Sequence, residues 1–193
     1  DLVAREGETL MRAVAEHASV PVINMQCDVD HPCQTLADLM TLQELRGHSL
    51  RGLRLAVSWA YAPSYAKPMS VPQGLLTLMP RFGIDVVLAH PPGYALMPDQ
   101  MEIARANARE AGTLLEVTDD MDAAFAGADV VYPKSWGAFD YFGRPEEGLA
   151  LAAKHKDWIC DERRLALAKK DALYMHCLPA DRGNEVTDAV IDG

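Results

Sequence analysis

The sequence predicts an α/β fold, a parallel sheet with helices on both faces. Three observations carry that prediction. Short runs of continuous apolar residues alternate with stretches whose apolar residues follow helical spacing. Within the runs apolar residues stand side by side rather than only at every second position, the pattern of strands buried on both faces. Finally, 193 residues, 49% of them apolar and 24% charged, are enough to build a sizeable core.

Taken in order, residues 1–19 are charged and helical in pattern, with Leu2, Leu10, Met11 and Val14 as apolar positions. Residues 20–25 (VPVINM) read as a short buried strand, and residues 26–32 as a polar turn. A helix is predicted from about Pro32 to Arg46, because Pro32 suits a first helical turn and Leu36, Leu39 and Met40 fit helical spacing. The hinge candidate is residues 47–52 (GHSLRG), which divides the chain into 1–46 and 47–193. Beyond it, strands are predicted at residues 53–59, 84–90, 114–118, 128–132 and 172–178. Helices are predicted near residues 71–82, 98–111, 121–126 and 161–169, the second with Met101, Ala104, Ala108 and Ala111 on one face. No internal repeat or low-complexity tract interrupts this alternation.

Charge and composition narrow the function. Eighteen Lys and Arg against 28 Asp and Glu give a formal charge of −10. That argues against a nucleic-acid partner, whose phosphates need a basic surface. An anionic small molecule must then be held by a few local cations and backbone N–H groups. The longest uncharged windows, such as residues 68–80 between Lys67 and Arg81, are too short to span a bilayer, so no membrane partner is expected. Cys27, Cys33, Cys160 and Cys177 are too few and too irregular for a secreted disulfide framework, which points to a reducing, cytoplasmic setting. There is no Gly-x-Gly-x-x-Gly and no P-loop, and His31, Cys33, His176 and Cys177 lack the usual spacing of zinc ligands. Neither cofactor nor metal is expected. The chain begins at Asp1 without Met and stops at Gly193 just after a helix-like start, so a fragment is expected.

Ligands of a parallel sheet sit outside the carboxyl ends of its strands. Four polar clusters are predicted there: residues 30–34, 60–72, 134–137 and 176–182. In the first, His31 and Gln34 stand at the positive end of a helix, where a polarised carbonyl or anion is favoured. A turn histidine and a solvent-facing glutamine account for the same residues. In the last cluster, a strand running into Leu178-Pro179 presents backbone carbonyls that no ladder partner takes, suited to an NH2 group. Cys177 fits either a site or a small core residue.

Together the clusters are specific. His31-Pro32-Cys33-Gln34-Thr35-Leu36-Ala37-Asp38, followed near the other end of the chain by His176-Cys177-Leu178-Pro179, closely resembles the transcarbamylase family. Lys134-Ser135-Trp136-Gly137 is similar to the amino-acid-binding loop of its N-acetylornithine carbamoyltransferase branch. The stretch WAYAPSYAKPMSVPQG at residues 59–74 resembles the proline-rich loop of the knotted members, which a later segment threads.

The resemblance implies a two-domain enzyme that moves a carbamoyl group between carbamoyl phosphate and an amine of a small amino acid. Residues 1–46 would be the remnant of the carbamoyl-phosphate-binding domain with the interdomain helix. Residues 47–193 would be the amino-acid-binding domain, lacking its last helix. His31 would polarise the carbamoyl oxygen and Gln34 would hold the carbamoyl NH2, with Pro32 and Cys33 in the same loop. The Leu178 carbonyl would accept from that NH2, with Cys177 beside the attacking amine. Lys134 would bind the substrate carboxylate, with Ser135, Trp136, Pro179 and Arg182 completing the amino-acid pocket. The Leu178–Pro179 peptide is expected to be cis, and the oligomer a homotrimer.

Several positions depart from the pattern. The family's phosphate-binding Ser-x-Arg-Thr-Arg motif is absent, so turnover is not expected from these residues alone. Arg182 comes one position later than the arginine of many relatives. Cys27 stands where the acetylornithine branch has Glu, and Glu185 where it has Lys. Cys27-Asp28-Val29-Asp30 looks more like knotted relatives linked with ureide catabolism, where phosphate cleaves a ureido acid. Asp28 and Asp30 then either contact substrate or sit as solvated turn residues. The alternatives are a non-catalytic transcarbamylase-like ligand-binding module and a generic nucleotide binder without the glycine fingerprint.

Overall fold

The structure, a computed structural model, describes residues 5–193; Leu2 lies outside the described residues. Strands β1 (Arg54–Trp59), β2 (Asp85–Ala89), β3 (Leu115–Thr118), β4 (Val130–Lys134) and β5 (Leu173–Tyr174) form one parallel sheet in the order β3-β2-β1-β4-β5. Val57, at the middle of the sheet, pairs with Leu88 on one side and Tyr132 on the other. Leu55 to Trp59 and Val86 to Ala89 are buried without exception. Successive strand side chains point to opposite faces, so both faces are covered, as the continuous apolar runs predict.

Helices α1 (Glu6–His17), α2 (Pro32–Arg46), α3 (Ser70–Leu78), α4 (Pro98–Ala111), α5 (Met121–Phe125), α6 (Pro145–Ala152), α7 (Glu162–Leu165) and α8 (Asp188–Ile191) complete the chain. α4 shows the local logic: Pro98 opens it, Met101, Ala104 and Ala108 are buried, and Gly112 ends it at φ 66. Ala111, expected on the same face, is only partly covered. The sheet grows from β1 through β2 to β3, then the chain returns to place β4 on the other side of β1. That reversal opens a crevice at the carboxyl ends of β1 and β4.

Four expectations are corrected. Residues 20–25 form no strand, and Val20, Ile23 and Met25 are 69%, 74% and 69% exposed. A strand exists only through a ladder, and no described strand pairs with this run. In α2, Leu39 is buried, but Leu36 and Met40 are 49% and 59% exposed. The last strand is cut to Leu173–Tyr174, because Leu178 turns left-handed (φ 51) and Pro179 has no N–H to give. α6 was not anticipated, and the helix predicted at 161–169 shrinks to α7.

A few polar bonds hold residues 5–46 against the sheet. Gln73, buried in α3, donates to the Val29 carbonyl at 2.7 Å and accepts from the Met97 N–H at 3.1 Å. Tyr132 Oη donates to Asp38 Oδ2 at 3.1 Å, and Arg46 pairs with Asp171 at 2.6 Å. Close approach also matters: a Cβ on Gly74 would lie 2.5 Å from Asp30 Oδ1 and 2.7 Å from Thr35 Cγ2, so α3 needs glycine there. The result places the N-terminus of α2 over the crevice.

Candidate active site

The crevice encloses a cavity of about 320 Å³, lined by His31, Lys67, Lys134, Cys177, Leu178 and Pro179 among others. Segments far apart in sequence thus meet at one place. Lys67 follows β1, Lys134 ends β4, and Cys177 to Pro179 follow β5. The Leu178–Pro179 peptide is cis.

His31 is the N-cap of α2, and its Nδ1 accepts from the Gln34 N–H at 3.4 Å. An accepting nitrogen carries no proton, so the neutral ring bears its proton on Nε2 as a donor. Burial pushes the His31 imidazole below its ordinary value, against the opposing pull of Asp30. The neutral, donating form is therefore favoured. Asp30 spends Oδ1 on the His31 N–H at 2.7 Å, and Asp28 spends Oδ1 on the Glu8 N–H at 2.9 Å. Both behave as turn residues.

On the other wall, Lys134 is buried, and its Nζ donates to the Ser135 carbonyl at 2.9 Å and the Pro68 carbonyl at 3.3 Å. An ammonium has three donors, so one remains. Burial lowers the Lys134 pKa, with the Glu185 carboxylate pulling it back. Burial likewise pushes the Cys177 thiol up despite Lys134 nearby, which keeps it protonated.

Behind this wall lies Glu185, fully buried. Its carboxylate accepts from the N–H of Ser135 at 2.6 Å, the N–H of Asp181 at 2.7 Å and Lys67 Nζ at 3.1 Å. Lys67 also pairs with Asp181 at 2.8 Å. Burial alone would raise the Glu185 pKa, but these groups and the His176 ring beside it hold the carboxyl at about 2. One carboxylate therefore ties together the loops after β1, β4 and β5.

The structure does not bring every expected residue to the cavity lining. Pro32 sits at the helix start, and Cys33 is exposed, its Sγ turned to the Asn24 carbonyl at 3.7 Å. Gln34 commits its NH2 to Asp38 Oδ1 at 2.9 Å, leaving Oε1 as its free group. Ser135 contributes its backbone to Glu185, while its own Oγ is buried without a partner among the described residues. Trp136 is a core residue: its indole donates to the Tyr94 carbonyl, and its carbonyl accepts from the Trp59 indole, each at 2.9 Å. Its size fills the interior rather than the pocket. Arg182 is drawn away by Asp188 and Asp192, at 2.8 Å and 2.6 Å. Lys67 is not singled out by the sequence, and Glu185 is marked there only as a departure from the acetylornithine branch, with no role in joining the loops. The only signal for Lys67 was a lone cation in a proline-bearing loop; for Glu185 there was none of a local kind.

Residues 67–193 match the family described as aspartate/ornithine carbamoyltransferase, Asp/Orn binding domain, and residues 2–44 match its carbamoyl-P binding domain. The chain is 45% identical over 196 residues to the "Putative carbamoyltransferase YgeW" of Escherichia coli K12, covering 89% of this chain and 50% of that protein. It is 41% identical to the N-acetylornithine carbamoyltransferase of Xanthomonas campestris, covering 96% of this chain and 54% of that protein. The crystal structure of an N-acetyl-L-ornithine transcarbamylase superposes with a TM-score of 0.91 at 40% identity, over 96% of this chain and 56% of that one. A crystal structure of acetylornithine transcarbamylase complexed with acetylcitrulline matches with the same TM-score of 0.91. The chain spans about half the length of the curated relatives it matches. It belongs to the aspartate/ornithine carbamoyltransferase family.

Proposed function

We propose that these residues form part of the active site of a carbamoyltransferase, which moves a carbamoyl group between carbamoyl phosphate and the amino group of an ornithine-like or ureido amino acid. The observation that carries the reading is the meeting of His31 with Cys177, Leu178 and Lys134 around one cavity. His31 Nε2–H donates to the carbamoyl oxygen as the amine attacks, where a positioned donor stabilises the tetrahedral oxyanion more than the ground state. The Leu178 carbonyl accepts from the carbamoyl NH2. The remaining donor of Lys134 takes the substrate carboxylate, with Pro179 bounding that side. As the new C–N bond forms, the C–O bond to phosphate breaks and phosphate leaves. The amine proton goes to that phosphate, because a thiol pushed up by burial is a poor acceptor.

The same reading carries the family's further features. Residues 1–46 belong to the carbamoyl-phosphate domain, and residues 47–193 form the amino-acid domain. The loop at 59–74 is threaded as a knot, and the enzyme is a cytoplasmic homotrimer. Cys27 and Glu185 differ from the acetylornithine branch, which favours a substrate outside N-acetylornithine.

The test uses the full-length protein carrying this sequence. Carbamoylation of ornithine, N-acetylornithine, N-succinylornithine and putrescine is measured beside phosphorolysis of ureido acids such as diureidopropionate. Product formed in step with phosphate release, or carbamoyl phosphate formed from a ureido acid, supports the reading. Binding of carbamoyl phosphate with no turnover on any substrate replaces it with the ligand-binding module.

A further inference from the structure

We propose that His176 is a positioning residue of this site, whose Nδ1 holds the Leu178 N–H and so fixes the backbone that faces the carbamoyl group. What that backbone binds rests on the carbamoyl-transfer reading; the geometry of the hold does not.

The His176 side chain is 2% exposed. Its Nδ1 accepts from the Leu178 N–H at 2.8 Å, so the ring proton of the neutral imidazole is on Nε2. Nε2 faces Glu185 Oε2 at 3.7 Å, beyond hydrogen-bond reach, and has no hydrogen-bond partner among the described residues. The ring stacks on Tyr132, with centroids 6.3 Å apart and planes 15° from parallel. Tyr132 and Glu185 are themselves fixed, by Asp38 on one side and by the N–H groups of Ser135 and Asp181 on the other. The imidazole is thus a rigid part offering one acceptor to the chain two residues on.

That acceptor has work at Leu178. A left-handed φ of 51 is unusual for leucine, since the side chain crowds the following carbonyl. A bond to the Leu178 N–H offsets that crowding. It also sets direction. The Cys177–Leu178 peptide is planar and trans, so an N–H aimed at the imidazole sends the Cys177 carbonyl the opposite way. With that plane fixed, the φ of Leu178 decides where its own carbonyl points. A histidine serving only as core filler would need no nitrogen at this place.

Three variants of the full-length protein separate the two roles. His176→Phe keeps a ring against Tyr132 and removes the acceptor. His176→Asn returns an acceptor near the place of Nδ1, and His176→Gln reaches toward Nε2 instead. The expected result is a fall in kcat of about 10²-fold for His176→Phe with KM for carbamoyl phosphate little changed. His176→Asn recovers most of that loss and His176→Gln does not. Equal losses in the Asn and Gln variants, or unchanged kcat in a folded Phe variant, overturn the proposal. A readout independent of turnover is nitrogen-15 NMR of labelled histidine, combined with exchange of the Leu178 amide proton. A bare Nδ1, and an amide protected in the wild type and the Asn variant but not in the Phe variant, support the hold. A protonated Nδ1 overturns it. Absence of turnover in the wild type sinks the carbamoyl-transfer reading alone, because the NMR result still decides whether His176 holds Leu178.

Discussion

Residues 5–46 and residues 53–193 are held in place by different physics. In the later part, β1 and β2 bury almost every side chain and the sheet anchors itself by apolar packing. In the earlier part, Leu10, Val14, Ile23, Met25, Leu36 and Met40 are exposed by between 47% and 74%. Polar tethers from Gln73, Tyr132 and Asp171 do much of the fastening there. The cavity lies across the seam, so its two walls inherit the difference. His31 rests on a helix cap and a few hydrogen bonds, whereas Lys134 and Leu178 stand on a packed sheet backed by a buried carboxylate. The comparison predicts that damage to the first wall shows in chemistry, and damage to the second in stability as well.

The largest expected effect is on the first wall. His31→Ala removes the donor to the carbamoyl oxygen and should lower kcat of the full-length protein by about 10²–10³-fold. Its cost in stability should stay near 1 kcal/mol, the value of a lost helix cap. Because burial lowers the His31 pKa below its ordinary 6.5, the acid limb of kcat/KM should fall below pH 6.5. A pH–rate profile checks the sign. A limb above that value would mean that the protonated imidazole is not the inactive form.

On the second wall, Glu185→Gln should act on the pH dependence of unfolding. The carboxyl is held at about 2 in the fold against an ordinary 4.5. A folded pKa below the unfolded one gives stability that is present above the unfolded value and lost as pH falls through the folded one. The depression corresponds to about 3 kcal/mol. In urea titrations, the advantage of the wild type over Glu185→Gln should therefore shrink by about that amount between pH 4.5 and 2. A gap that does not change with pH would show that the carboxyl is already neutral at the upper end.

A smaller effect tests the tethers themselves. Gln73→Met leaves the Val29 carbonyl and the Met97 N–H without their partner inside the protein. The expected loss is about 2 kcal/mol by denaturant unfolding, set by stranding buried polar groups. Full retention of stability would mean that the earlier part is fastened by something other than this amide.

The sheet was legible because continuous apolar runs carry their own signal, and each of the five runs beyond the hinge meets a strand. The two motifs owe their places at the cavity to short local sequence, a helix start at His31 and a Leu-Pro pair beyond β5. What failed was non-local. Residues 20–25 have the composition of a strand, but pairing depends on a neighbour and not on composition. Trp136 sits in a polar quartet, yet its indole goes to the Tyr94 carbonyl inside the core. Glu185 gives no local sign that it will be buried whole, because its partners Lys67 and Ser135 lie far back in the chain. Arg182 lies away from the cavity for the opposite reason. Its nearby acids, Asp188 and Asp192, capture it before the cavity does.

The smallest predicted effect is the sharpest probe of the seam. Met40 is 59% exposed, one residue after buried Leu39. If that side chain faces water, Met40→Ser removes no packing, and the 193-residue chain should change in stability by no more than about 0.5 kcal/mol. A loss well above 1 kcal/mol would mean that this face of α2 is covered in solution. Repeating the unfolding at several protein concentrations then identifies the cover. A loss that grows with concentration assigns it to a second copy of the chain, and the earlier part would owe its place to packing after all.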